Sequence, residues 1–194
     1  MPPLSTRVLV RLGENIVEQV CPGVLSAPMP FPVLDVFERV LPQFGIHTYP
    51  VCDAELPDEE AVTDHEGPEG SEITIRIREE FLDYLAAGGR RAHRARATLP
   101  HELGHAILHV PVMRRRLKHP VKARGLLQRH RVGDIPAYEQ SEWQAWMLGG
   151  SILMPISTLL RLDPLTDFAV ADAFQVSLGL ARAHLGRLER GGLI

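Results

Sequence analysis

Two histidines four residues apart, His101 and His105, with Glu102 directly after the first, are the residues of this chain best suited to chemistry. On an α-helix, a spacing of four sets two side chains about 40° apart on one face and about 6 Å apart along the axis, so both imidazoles can converge on one ion. Zinc accepts imidazole nitrogen, and a catalytic zinc site takes three protein ligands and keeps a fourth position open. Glu102 would stand beside that position as the general base of a hydrolytic reaction. A shuffled chain of this composition would contain the His-Glu-x-x-His pattern roughly 3% of the time, so the pattern needs a helical setting and a third ligand from another element.

Thr98 reads as an N-cap, and proline at position 100 is tolerated in a first turn, which predicts a helix over about residues 98 to 110. The segment Glu139-Gln140-Ser141-Glu142-Trp143-Gln144-Ala145-Trp146-Met147 has helical periodicity and sets Glu139 and Glu142 on one face, so either can reach the ion. His109 shares the face of His105 but lies about 12 Å along the axis from His101, too far to join the same tetrahedral site. Its role stays open between support of the site, contact with substrate and a core histidine bonded to backbone. His47, His65, His93, His119, His130 and His184 show no spacing that suggests a site and read as surface or structural residues.

The elements that must position these residues follow from periodicity. Leu9, Leu12, Ile16 and Val20 recur at helical spacing until Pro22-Gly23 ends the run. A second helix is marked by Val33, Val36, Phe37, Val40 and Leu41 and closed by Gly45, and an extended segment from Ile46 to Val51 follows. Residues 53 to 72, acidic and rich in Pro and Gly, read as a solvated loop. Ile73, Ile75 and Ile77 alternate with Thr74 and Arg76, the pattern of a strand with one face on the core. A helical turn around Phe81 to Leu85 precedes the predicted histidine helix, and residues 137 to 153 and 155 to 190 read as helical, the latter broken at Pro164.

At 194 residues and 45% hydrophobic content, the chain can bury one real core with a small appendage. The division expected is residues 1-155 as the main domain and 156-194 as a small helical subdomain packed on it. A net charge of −3 gives no overall attraction to nucleic acid or to an anionic membrane. No stretch approaches the roughly 20 apolar residues of a spanning helix, and the start lacks the apolar core of a secretory signal. Cys21 and Cys52 have no metal-ligand spacing and read as reduced, buried thiols of a cytoplasmic protein.

Residues 98 to 109, T-L-P-H-E-L-G-H-A-I-L-H, and 142 to 155, E-W-Q-A-W-M-L-G-G-S-I-L-M-P, resemble the two signature blocks of the ImmA/IrrE family of zinc metallopeptidases. The resemblance implies an α+β, zincin-like domain with a small sheet, an HExxH active-site helix and a mostly helical C-terminal part. It also implies His101 and His105 as zinc ligands, Glu102 as the base, and Glu142, three residues before Ala145, as the third ligand. The chemistry implied is site-specific endoproteolysis of a repressor or antitoxin carrying a helix-turn-helix. Trp146 and Leu148 depart from the family pattern, where asparagine and phenylalanine are common, which bears on how Glu142 is positioned. Residues 171 to 188 look like the helical region after the Met-Pro of this family and faintly suggest helix-turn-helix, with core packing the favoured reading.

Two other readings compete. Residues 90 to 131 hold twelve Lys or Arg and one acid, Glu102, so a noncatalytic zinc-stabilised module could bind a transcription regulator or DNA through them. The region lacks the interleaved aromatics of a single-strand platform, which disfavours nucleic acid. The same ligands also allow a zinc hydrolase acting on a non-peptide bond.

Overall fold

The computed structural model describes residues 2–66, 68, 70–118 and 140–194. Its first helix, α1 (Thr6–Val20), is capped by Ser5, whose side chain accepts from the Val8 N–H. Leu9, Val10, Gly13 and Val17 form its buried stripe. The second predicted helix is present with changing winding: α2 (Val33–Asp35) runs into a wider π turn at Val36–Val40 and a tight 3-10 turn at Leu41–Phe44. Gly45, at φ 73°, closes it in the left-handed conformation that glycine adopts most cheaply.

β1 (Ile46–Val51), β2 (Ala61–Thr63) and β3 (Ile73–Arg78) form one mixed sheet in the order β1-β3-β2. β1 pairs parallel to β3, with Ile46 opposite Ile73, and β2 pairs antiparallel, with Thr63 opposite Ile75. The expected alternation in β3 holds, Ile75 and Ile77 being buried. The sequence reading of residues 53 to 72 as a plain loop is corrected, because it contains a 3-10 turn at Asp53–Glu55 and the strand β2. Three residues are too few to show a period-2 pattern; Ala61 to Thr63 are extended because they satisfy the main-chain groups on one side of β3. Arg76 pairs with Asp64 at 3.1 Å, and Arg78 donates to the carbonyls of Leu56 and Pro57, fixing the flanks of β2.

α3 (Glu79–Ala87) leads through Gly88 into α4 (Gly89–Leu108), which carries His101, Glu102 and His105. α4 begins nine residues earlier than expected, so Thr98 is not its cap. The Thr98 hydroxyl instead donates to Glu60 at 2.9 Å, and Glu60 also pairs with Arg94. Ala92, Ala95 and Ala97 are buried along the extra turns, and Pro100 is accommodated inside the helix. α5 (Val110–Lys118) follows directly.

α6 (Ser141–Leu153) lies against both α4 and α1. Its contact with α4 is made backbone to backbone: a Cβ on Gly104 would sit 2.8 Å from Ala145 Cα, and one on Gly149 would sit 2.9 Å from the Pro100 carbonyl carbon. After Pro155 come α7 (Ile156–Leu159), α8 (Asp167–Phe174) and α9 (Leu178–Arg190), the last two capped by the side chains of Thr166 and Ser177. Phe174, Val176, Ala181, His184 and Leu188 are buried, so the stretch with a faint helix-turn-helix look is packed inward. A single apolar cluster joins Leu9, Phe37, Ile75, Leu103 and Leu148 to Phe174 and Leu188.

The protein is thus α+β, with a small sheet and a largely helical remainder. Among the described residues no helix is long and apolar enough to cross a membrane. Both cysteines are free, but the expectation that they are buried is corrected: Cys21 is partly buried and Cys52 exposed. Much of the basic region, 119–131, lies outside the described residues, as does Glu139. Within the described part, Arg96 donates to the Phe31 carbonyl, and the buried Arg114 donates to the carbonyls of Glu66, Ser71 and Glu72. These side chains act as internal ties.

Candidate metal centre

His101 and His105 sit one turn apart on α4, and their Nε2 atoms lie 3.1 Å from each other. Glu142, in the first turn of α6, brings one carboxylate oxygen to 3.4 Å from His101 Nε2 and the other to 3.3 Å from His105 Nε2. The ligand-capable atoms of the three residues all lie within 4.8 Å of one another. Donors held at about 2.0–2.1 Å from a shared ion in a tetrahedral array stand roughly 3.3 Å apart, so this spacing suits one divalent metal. Bringing two neutral imidazole nitrogens and a carboxylate this close, with lone pairs converging, makes electrostatic sense around a cation.

The histidines are prepared to be neutral. Burial, reinforced by His105 and His109 nearby, lowers the pKa of His101 to about 3. Burial likewise lowers that of His105 and, as the largest cause, that of His109. Glu142 differs, its side chain being 68% exposed while those of His101 and His105 are 10% and 20% exposed. The less exposed donors come from the C-terminal half of a long helix and the exposed one from a helix start.

Glu102 faces the same cleft, with one carboxylate oxygen 4.0 Å from His101 Nε2. Its other oxygen accepts from the Thr63 hydroxyl at 2.7 Å, a hydroxyl that also lies 3.0 Å from the Glu102 main-chain oxygen. Burial pushes the Glu102 carboxyl up to about 7, the Thr63 hydrogen bond pulls it down, and the Glu142 carboxylate adds to the rise. Two clefts meet here. One, of about 650 Å³, runs between residues 58–61 and the start of α9; the other, of about 330 Å³, lies over Val62, Thr63, His65 and Met113. Both are lined by Glu59, Ala61, His101 and Glu102.

Of the residues singled out by spacing, His101, Glu102, His105 and Glu142 are brought together. His109 lies outside the donor group, but its Nδ1 is 2.9 Å from His105 Nδ1 and its Nε2 is 3.1 Å from Gln144 Oε1. Trp146, a departure from the resembled pattern, stacks on His101 with ring centroids 4.2 Å apart. Thr63, Gln144 and His65 were missed by sequence reasoning. Thr63 sits in a strand too short to register, and Gln144 could have been found only as the inward-facing polar residue of an apolar helix. β3 offers no edge to which an extended peptide could add, because β1 and β2 flank it. Among the described strands, β2 is the edge nearest the donors. Compared with known proteins, the chain matches no family model, no curated protein and no solved structure, so its site is read from its own geometry.

Proposed function

We propose that this chain is a zinc-dependent endopeptidase of zincin-like fold, with His101, His105 and Glu142 holding the ion and Glu102 serving as general base. The observation that carries the reading is the buried Glu102 carboxyl opening onto the same cleft in which the three donors converge. Two imidazoles and a carboxylate favour zinc over the hard cations calcium and magnesium, which take oxygen donors. Zinc, when bound, supplies Lewis acidity that makes water easier to deprotonate and a carbonyl easier to attack.

The chain's own residues would do the rest. A carboxyl poised near neutrality can take a proton from water and return it to the leaving amine, and Thr63 keeps that carboxylate turned toward the cleft. β2 presents main-chain groups to which an extended peptide can add as a further strand. Open space on both sides of Glu102 suits a chain that continues beyond the cleaved bond in each direction, which favours internal over terminal cleavage. By resemblance, the substrate is a cytoplasmic repressor or antitoxin with a helix-turn-helix.

Two measurements test this. Metal analysis should find one zinc per wild-type chain and much less in His101→Ala, His105→Ala and Glu142→Ala. Zinc-loaded wild type, incubated with the protein encoded next to it, should yield one discrete cut by mass spectrometry, and Glu102→Gln should retain zinc but cut at least a hundredfold more slowly. Wild-type cleavage rates in Glu102→Gln would overturn the assignment of the base.

A further inference from the structure

From His105 through His109, which lines the smaller cleft, to Gln144 runs a chain of polar contacts that the proposed chemistry does not use. The main-chain carbonyl of Pro2 accepts from Gln144 Nε2 at 2.9 Å. Gln144 Oε1 lies 3.1 Å from His109 Nε2, and His109 Nδ1 lies 2.9 Å from His105 Nδ1. Gln144 and His109 are 1% and 2% exposed, so these groups have to be satisfied by protein partners.

Each contact dictates the next. A carbonyl can only accept, so the amide of Gln144 must turn its nitrogen to Pro2 and its oxygen to His109. An amide oxygen can only accept, so His109 carries its proton on Nε2. In a neutral imidazole the other nitrogen is then an acceptor, so His105 must carry its proton on Nδ1. That leaves His105 Nε2 bare, and it is the nitrogen that faces His101 Nε2 and Glu142.

We infer that Gln144 and His109 are positioning residues that fix the His105 tautomer, so that its Nε2 lone pair is presented to the metal before the metal arrives. The inference rests on the metal-binding part of the proposed function and is independent of peptidase activity. Polar partners of this kind orient a ligating histidine and raise its basicity, and their removal costs 10–100-fold in metal affinity. The relay also ties the ligand helix α4 to α6 and to the segment before α1 through hydrogen bonds alone.

Long-range proton–nitrogen NMR on the metal-free full-length wild type reads the tautomers directly. His109 should appear with its proton on Nε2 and His105 with its proton on Nδ1, whether or not zinc later binds. Gln144→Met should leave a folded protein by circular dichroism, spread His109 over both tautomers, and weaken binding of zinc ion about tenfold in competition with a chromogenic chelator. His109→Phe should weaken it similarly. The relay is overturned if His105 carries its proton on Nε2, or if both variants bind zinc as tightly as wild type. Failure of wild type to bind zinc, with the tautomers as stated, would instead sink the proposed function and leave the relay standing.

Discussion

Glu102 shows two opposing forces on one carboxyl: burial raises its pKa, and the Thr63 hydroxyl, which bonds best to the charged form, lowers it. Carbon-detected NMR titration of metal-free protein should therefore place Glu102 near pH 7, and in Thr63→Val higher still. Adding zinc should move it down, since a dication favours the nearby carboxylate. A Glu102 titration near the ordinary carboxylate value in metal-free protein would show that water solvates its carboxylate freely. At this scale the sequence displayed the candidate donors and not their supports. His101 and His105 were legible because helical spacing converts directly into a shared face, Glu102 because of its place between the histidines, and Glu142 as one of two glutamates on a second helix face, singled out by the resemblance. Thr63 stands 39 residues from Glu102, and His109's partner Gln144 is 35 residues away, so only tertiary packing could reveal either bond.

The seam between α4 and α6 decides where the donors stand. Gly104 and Gly149 let the two backbones touch, and a methyl group at either would meet main-chain atoms at 2.8–2.9 Å. Overpacking of this sort costs about 1–3 kcal/mol. Gly104→Ala should accordingly lower Tm by roughly 2–4 °C for each kcal/mol lost in a chain of this size, and weaken zinc binding by moving Glu142 away from the histidines. Unchanged zinc affinity in that variant would mean the donor spacing is not set by this seam. The longer helices and the strand β3 were readable from periodicity, which they express over five residues or more, and β1 only as an extended segment following Gly45. The start of α4 was not: Thr98 and Pro100 look like a helix beginning, yet the preceding Ala- and Arg-rich turns propagate the helix back to Gly89 and bind Glu60 on the way.

His184 links the ionic state of the whole molecule to its stability. It is 1% exposed, and burial lowers its pKa to about 3. The unfolded chain therefore binds the extra proton first as pH falls below about 6.5, and stability drops by about 1.4 kcal/mol per pH unit from this group until the folded-state value is approached. His101, His105 and His109 are lowered in the same way, so denaturation at a series of pH values should show a slope in His184→Leu flatter than that of wild type by this one-group amount; equal slopes would exclude His184 as a source. At neutral pH, free zinc at a hundred times its Kd should add about 2.7 kcal/mol, reversed by a chelator. An α+β arrangement was implied by the resemblance and agreed with one alternating strand among helices. How the sheet is ordered was not, because pairing partners leave no mark in a sequence when a strand is three residues long.

Because main chain touches main chain where α4 crosses α6, the gap that the third donor must bridge has no slack on the helix side. Aspartate at position 142 would reach one carbon–carbon bond less far, and neither helix can slide inward to meet it. The swap that chemists count as mildest is thus expected to behave at this position like a deletion of the donor, which a zinc titration of Glu142→Asp beside Glu142→Ala would reveal.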